Sequence, residues 1–160
     1  MPTLVTDKSL TITRDFAAPR QLVWKAWTEP EAFMQWWGPK NYSSPFCRID
    51  LRVGGAYLNA MRGPKGSDVW TTGVYKEIVE PERIIYTDSF SDRDGNVVPA
   101  TEYGLGEDFP LVTLVTVVLE ETASGTRMTM THSGIPEGQT ADDTAVGWAE
   151  SFEKLAAALR

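Results

Sequence analysis

The sequence predicts an α+β fold, an antiparallel sheet wrapped around a long C-terminal helix in the order β-α-α-β(5-6)-α. Three observations predict it. From Phe46 to Ser133 the chain reads as consecutive strands, joined by short turns at all but one connection, a pattern that builds antiparallel pairing. Trp148, Phe152, Leu155 and Leu159 then recur at i, i+4, i+7 and i+11, the apolar stripe of a single helix. A lone terminal helix has to bury its stripe, and the only large surface on offer is the inner face of the sheet.

Taken in order, Ser9 to Phe16 alternates, with Leu10, Ile12 and Phe16 on one face and Thr11, Thr13 and Asp15 on the other, as a half-buried strand does. Ala18-Pro19 opens a helix, where the missing N–H of a first-turn proline costs nothing. Val23, Ala26 and Trp27 form its apolar face. Thr28-Glu29-Pro30-Glu31 reads as a second helix start, capped by Thr28 with Glu31 three residues on, and Gly38-Pro39 ends that helix.

The strands expected next are Phe46 to Val53, Ala56 to Arg62, Val69 to Val79, Arg83 to Phe90, Leu111 to Glu121 and Thr126 to Ser133. Gly54-Gly55, Gly63-Pro64-Lys65-Gly66, Glu80-Pro81-Glu82 and Thr122 to Gly125 supply turns. Ser91 to Pro110 is rich in Asp, Gly, Glu and Pro without periodicity, which predicts a long loop of the kind that serves as a lid or binding element. Thr140-Ala141-Asp142-Asp143 resembles a capping box, with acidic groups at the positive end of the last helix.

A length of 160 residues suits one domain over 1–160, large enough to bury a core without disulfides or a structural metal. Fifteen Lys and Arg against 22 Asp and Glu leave a net charge of −7, which argues against a nucleic-acid partner. The single Cys47 excludes an internal disulfide and a Cys-rich zinc site, and the single His132 makes a His-based metal site unpromising. No cofactor is expected. No run approaches the ~18 apolar residues of a membrane span, and Met1 to Leu10 lacks the hydrophobic run of a secretory signal. The expectation is a soluble, cytoplasmic protein.

The run Phe16-Ala17-Ala18-Pro19-Arg20-Gln21-Leu22-Val23-Trp24-Lys25-Ala26-Trp27-Thr28-Glu29-Pro30, followed by Trp36-Trp37-Gly38-Pro39, resembles the SRPBCC (START-like) superfamily. Within it, the chain looks like the branch related to the C-terminal domain of the heat-shock-protein-90 ATPase activator. Ile49 to Gly55, Met61 to Pro64, Gly73 to Glu77 with Pro81-Glu82-Arg83, His132-Ser133-Gly134 and Gly147-Trp148 agree, so the resemblance runs from about Ser9 to Arg160. It implies a helix-grip fold with a cavity between sheet and long helix. Members of the superfamily variously bind lipids, hormones or polyketides, and some catalyse cyclisation or ring hydroxylation. A fold shared by so many chemistries does not name one.

Trp24, Trp27, Trp36 and Trp37 fall close together, and large rings in that number either pack a corner or wall a pocket. Trp27 and Trp37 are assigned to the pocket, with Tyr57, Met61, Tyr75 and Tyr86 from the strands. Met128, Met130 and His132 share one face of the last strand, and Gly147, Trp148 and Phe152 face them from the helix. Gly147 leaves room beside Trp148. Flexible Met and polar-tipped Tyr side chains suit a ligand of mixed polarity.

Other features read as structural. Asp50 and Arg52 at i and i+2 are expected to form an ion pair at the rim of the Gly54-Gly55 turn, with Arg52 as an anchor for a ligand carboxylate the alternative. Cys47, Ile49, Leu51 and Val53 alternate against them and take the inward face, which favours the pair. Cys47 is expected to be a small buried hydrophobe. Tyr103-Gly104-Leu105-Gly106 lacks the third glycine of a phosphate loop. Asp92, Asp94 and Asn96 start like a calcium loop, but the twelfth position is Tyr103, so a turn is expected.

The leading expectation is a non-catalytic protein that binds a small apolar or amphipathic molecule in this cavity, with a homodimer left open. The alternatives are a cyclase- or hydrolase-like enzyme using His132 and a carboxylate such as Asp88, and a chaperone ATPase regulator. The last is implied by the resemblance alone. The chain begins at its first strand where the eukaryotic activators carry another domain, so strong ATPase stimulation is not expected.

Overall fold

The computed structural model of the chain describes residues 3–6 and 9–160. Its elements are β1 (Thr3–Thr6), β2 (Ser9–Phe16), α1 (Arg20–Thr28), α2 (Pro30–Phe33), β3 (Ser43–Ile49), β4 (Ala56–Arg62), β5 (Asp68–Val79), β6 (Arg83–Ser91), β7 (Thr113–Thr122), β8 (Gly125–Ser133) and α3 (Gln139–Ala158). The strands form one antiparallel sheet in the order β1-β2-β8-β7-β6-β5-β4-β3. This is the expected α+β helix-grip arrangement. Each hairpin joins sequence neighbours, and one longer closure brings β8 back against β2.

Alternation sets the inner face. Ile12 stands opposite Met130, which stands opposite Val117, and Leu10, His132 and Val115 form the next row. All six are buried. Phe152 and Leu155 of α3 are fully buried in the same core, as the helical stripe requires. Gly73 permits the curl between β5 and β6, because a Cβ there would sit only 1.7 Å from the carbonyl oxygen of Thr87. The register of these two strands slips just beyond, between Tyr75 and Glu77.

Several local expectations are corrected. A strand precedes Ser9: β1 pairs with β2 as a hairpin. Thr28 does not cap α2. Its Oγ1 donates back to the carbonyl of Trp24 at 2.8 Å, within the last turn of α1, and Glu29 takes the cap position before Pro30. The strand expected over Phe46 to Val53 is shifted towards the N-terminus and stops at Ile49. Tight turns follow, in which the Arg52 N–H donates to the Asp50 carbonyl and the Gly55 N–H to that of Arg52. Leu51 and Val53 therefore lie exposed rather than inward. The Asp50–Arg52 pair forms as expected, at 2.9 Å, but in solvent, where such pairs contribute little.

The long loop contains a single 3-10 turn, Ala100–Tyr103, and Tyr103 anchors it by donating its hydroxyl to the carbonyl of Ser91. Thr140 lies inside α3 rather than at its cap. Gly138 precedes the helix, and the Thr140 hydroxyl instead donates to the Asp108 carboxylate in the long loop at 3.2 Å. Among the described residues, no helix is long and apolar enough to cross a membrane.

Candidate ligand cavity

Between α3, the sheet and two loops lies a cavity of about 340 Å³. One face of α3 forms its first wall through Thr140, Thr144, Gly147 and Ser151, spaced four, three and four residues apart as one helical face requires, with Asp143 and Trp148 alongside. The sheet contributes Met61 from β4, Thr71 from β5, Asp88 and Phe90 from β6 and His132 from β8. The turn after α2 adds Trp37, Gly38 and Pro39, and the long loop adds Leu105, Gly106 and Phe109. Lys154 holds the first of these loops in place. Its ammonium donates to the carbonyls of Tyr42 at 3.0 Å, Pro39 at 3.2 Å and Trp37 at 3.5 Å.

His132 is buried and fully engaged. The indole Nε1–H of Trp148 donates to its Nδ1 at 3.1 Å, and Thr113 Oγ1 lies 2.8 Å from its Nε2. An indole is a donor only, so Nδ1 must present its lone pair and the neutral ring carries its proton on Nε2. Nε2–H then donates to Thr113, whose hydroxyl proton goes on to the Asp88 carbonyl at 3.0 Å. Burial pushes the imidazole down to about 4, so the ring is neutral at physiological pH.

Asp88 sits beside it, with its side chain 17% exposed. Tyr57 donates its hydroxyl to Oδ1 at 2.5 Å, whereas Oδ2 lies 3.7 Å from His132 Nε2, beyond hydrogen-bond reach. Desolvation raises this carboxyl to about 6, the Tyr57 hydrogen bond opposing the rise. Tyr57 and Tyr86 are themselves held well above the usual phenol value, by burial first and then by the Asp88 charge.

Of the residues singled out in the sequence, Trp37, Met61, His132, Gly147 and Trp148 border the cavity. Trp27, Tyr57, Tyr75 and Tyr86 border a second crevice of only about 10 Å³, which their rings fill. Tyr57 and Tyr86 meet edge to face at 5.3 Å there. Met128, Met130 and Phe152 are wholly enclosed in the core behind both. Cys47 lies at the crevice, and burial pushes its thiol up to about 12, as an inert packing residue requires.

Sequence reasoning reached Asp88 only as a partner for His132, and it missed Thr71, Phe90, Leu105, Phe109 and the polar residues of α3. The helical spacing of Thr140, Thr144 and Ser151 with Gly147 carries a usable signal for the last of these. Nothing local in the long loop places Leu105 or Phe109. Among the described residues, no three His, Cys, Asp or Glu side chains are grouped to hold a metal.

Residues 17–160 match the family described as Activator of Hsp90 ATPase homolog 1-like protein. The chain is also similar to solved bacterial structures. It is 29% identical to a protein from Nitrosomonas europaea, with a TM-score of 0.78 over 98% of this chain and 96% of that one. It is 28% identical to a protein from Chromobacterium violaceum, with a TM-score of 0.77 over 95% and 96%. A protein from Arthrobacter aurescens superposes with a TM-score of 0.82 at 27% identity, over 99% of this chain and 90% of that one. No curated protein matches.

Proposed function

Because the chain belongs to the family of Activator of Hsp90 ATPase homolog 1-like proteins, we propose that it binds a small apolar or amphipathic molecule in the cavity between the sheet and α3, without chemistry upon it. The observation that carries this reading is the cavity itself. Its about 340 Å³ lies within the range of small-molecule sites, and its rings and few convergent polar groups match their usual lining.

A catalytic reading would pair Asp88 with His132 as acid and base. The Trp148 indole occupies the lone pair the imidazole would need to accept a proton, so His132 is poorly set for that part. Regulation of a chaperone ATPase is supported by the family description alone.

Native mass spectrometry of the purified protein, with thermal shifts across a panel of lipids and metabolites, tests the binding reading. A ligand present at 100 times its dissociation constant stabilises by about 2.7 kcal/mol, which a melt resolves easily. A bound small-molecule mass or such a shift is expected. An empty spectrum with no shift across the panel contradicts the reading.

A further inference from the structure

We propose that the cavity selects a positively charged ligand, a small organic ammonium whose nitrogen pairs with the carboxylate of Asp88 while its apolar body lies against Trp37, Phe90, Phe109 and Trp148. This deepens the binding reading above and rests on it.

The fold leaves the Asp88 charge without a countercharge. Tyr57 occupies Oδ1, and among the described residues no hydrogen bond reaches Oδ2. The one ring that could supply a positive charge, His132, is held neutral by the donor on its Nδ1. Among the described residues no Lys or Arg borders the cavity, and the Lys154 ammonium is committed to the carbonyls of the loop that walls it. Asp143 adds a second carboxylate on the α3 side. An unpaired carboxylate in a ring-lined hollow is costly, and an incoming cation relieves that cost. The faces of Trp37 and Trp148 would favour the same charge. A ligand carboxylate would instead meet repulsion from Asp88.

The titratable groups beside Asp88 are Tyr57 from β4, Tyr86 on its own strand and His132 from β8, and Asp143 of α3 lines the same cavity. The two phenols stay protonated and His132 stays neutral above about pH 4. Asp88 titrates near 6, so ammonium binding weakens as pH falls through that value.

The test is calorimetric titration of the full chain at pH 7.5 with 2-phenylethylamine, 2-phenylethanol and 3-phenylpropanoate. The three share a ring and spacer and differ in headgroup charge. The amine is expected to bind about tenfold or more tighter than the alcohol, and the carboxylate weakest. Asp88→Asn should erase the amine's preference while retaining the alcohol. Should that variant fail to fold, the wild-type pH profile decides, because the amine's advantage must shrink between pH 7.5 and 5. Equal binding of amine and alcohol, tighter binding of the carboxylate, or a preference that survives Asp88→Asn overturns charge selection and leaves the cavity reading standing. Uptake of none of the three overturns both.

Discussion

The indole N–H of Trp148 and the Nδ1 of His132 stand 3.1 Å apart in a buried hydrogen bond that sets the tautomer of the only imidazole in the chain. The bond links α3 to β8 directly. It also passes order onward, through Thr113, to the backbone of Asp88.

Trp148→Phe keeps a ring in place and removes the donor, leaving a buried acceptor unpaired. The expected cost is about 1–3 kcal/mol in urea unfolding. Trp37→Phe is the control, because the Trp37 indole N–H has no partner among the described residues, and it should cost less. Equal costs would remove the hydrogen bond from the account.

Acid stability should show two opposed slopes. His132 has a folded value near 4 against 6.5 unfolded, so its contribution is present above pH 6.5 and is lost as pH falls towards 4. Asp88 has a folded value near 6 against 3.8, so its contribution is present below 3.8 and is lost as pH rises through 6. The paired surface carboxylates Asp15, Asp68 and Glu153 are lowered, so their contributions are lost only as pH falls below the ordinary values of 3.8 for the aspartates and 4.5 for the glutamate. Between pH 4 and 6 the two buried groups offset one another. Asp88→Asn should therefore raise the melting temperature at pH 7.5, by up to about 3 kcal/mol equivalent, and steepen the decline from pH 6.5 to 4. An unchanged profile would show that neither group is perturbed as the structure implies.

Gly147→Ala should hold or raise the melting temperature while weakening ligand uptake. A Cβ there meets only Pro39 Cγ, at 3.6 Å, an ordinary contact, and alanine gains roughly 0.5–1 kcal/mol of helix propensity. Gly147 thus leaves space at the cavity and not a close approach to a strand. A clear drop in melting temperature would contradict this.

Alternation and helical spacing made β2, β8 and the stripe of α3 legible from the sequence, because each buries one face against an apolar layer. The shift of β3 was not legible. Leu51 and Val53 continue the alternation of Cys47 and Ile49, yet the backbone turns at Asp50 and carries them into solvent. Thr28 had two backbone partners within reach, and the carbonyl of Trp24 won over the next helix. At the site, periodicity assigned residues to a face but not to a position along it. Tyr57, Tyr75 and Tyr86 share the inner face with His132, yet the tyrosines converge ring on ring while His132 borders open space. Phe109 and Leu105 reach the cavity through a loop whose path depends on Tyr103 and Asp108, which no local pattern announces.

Lys154→Met retains the aliphatic stem and removes the ammonium that gathers three loop carbonyls. Hydrogen exchange should accelerate at amides between 38 and 42, with the strands β7 and β8 unchanged. Uniform exchange across both would mean that the lysine does not hold this wall.

The most direct measurement is a titration of the ¹⁵N-labelled chain with 2-phenylethanol, followed by the indole N–H signals. Trp37 and Trp148 border the cavity, whereas Trp24 is enclosed in the core and Trp70 packs against Phe46 at 5.5 Å elsewhere. Saturable shifts of Trp37 and Trp148, with Trp24 and Trp70 unmoved, are the predicted result. Shifts confined to Trp70, or none at saturating probe, would contradict a ligand-binding cavity beneath α3.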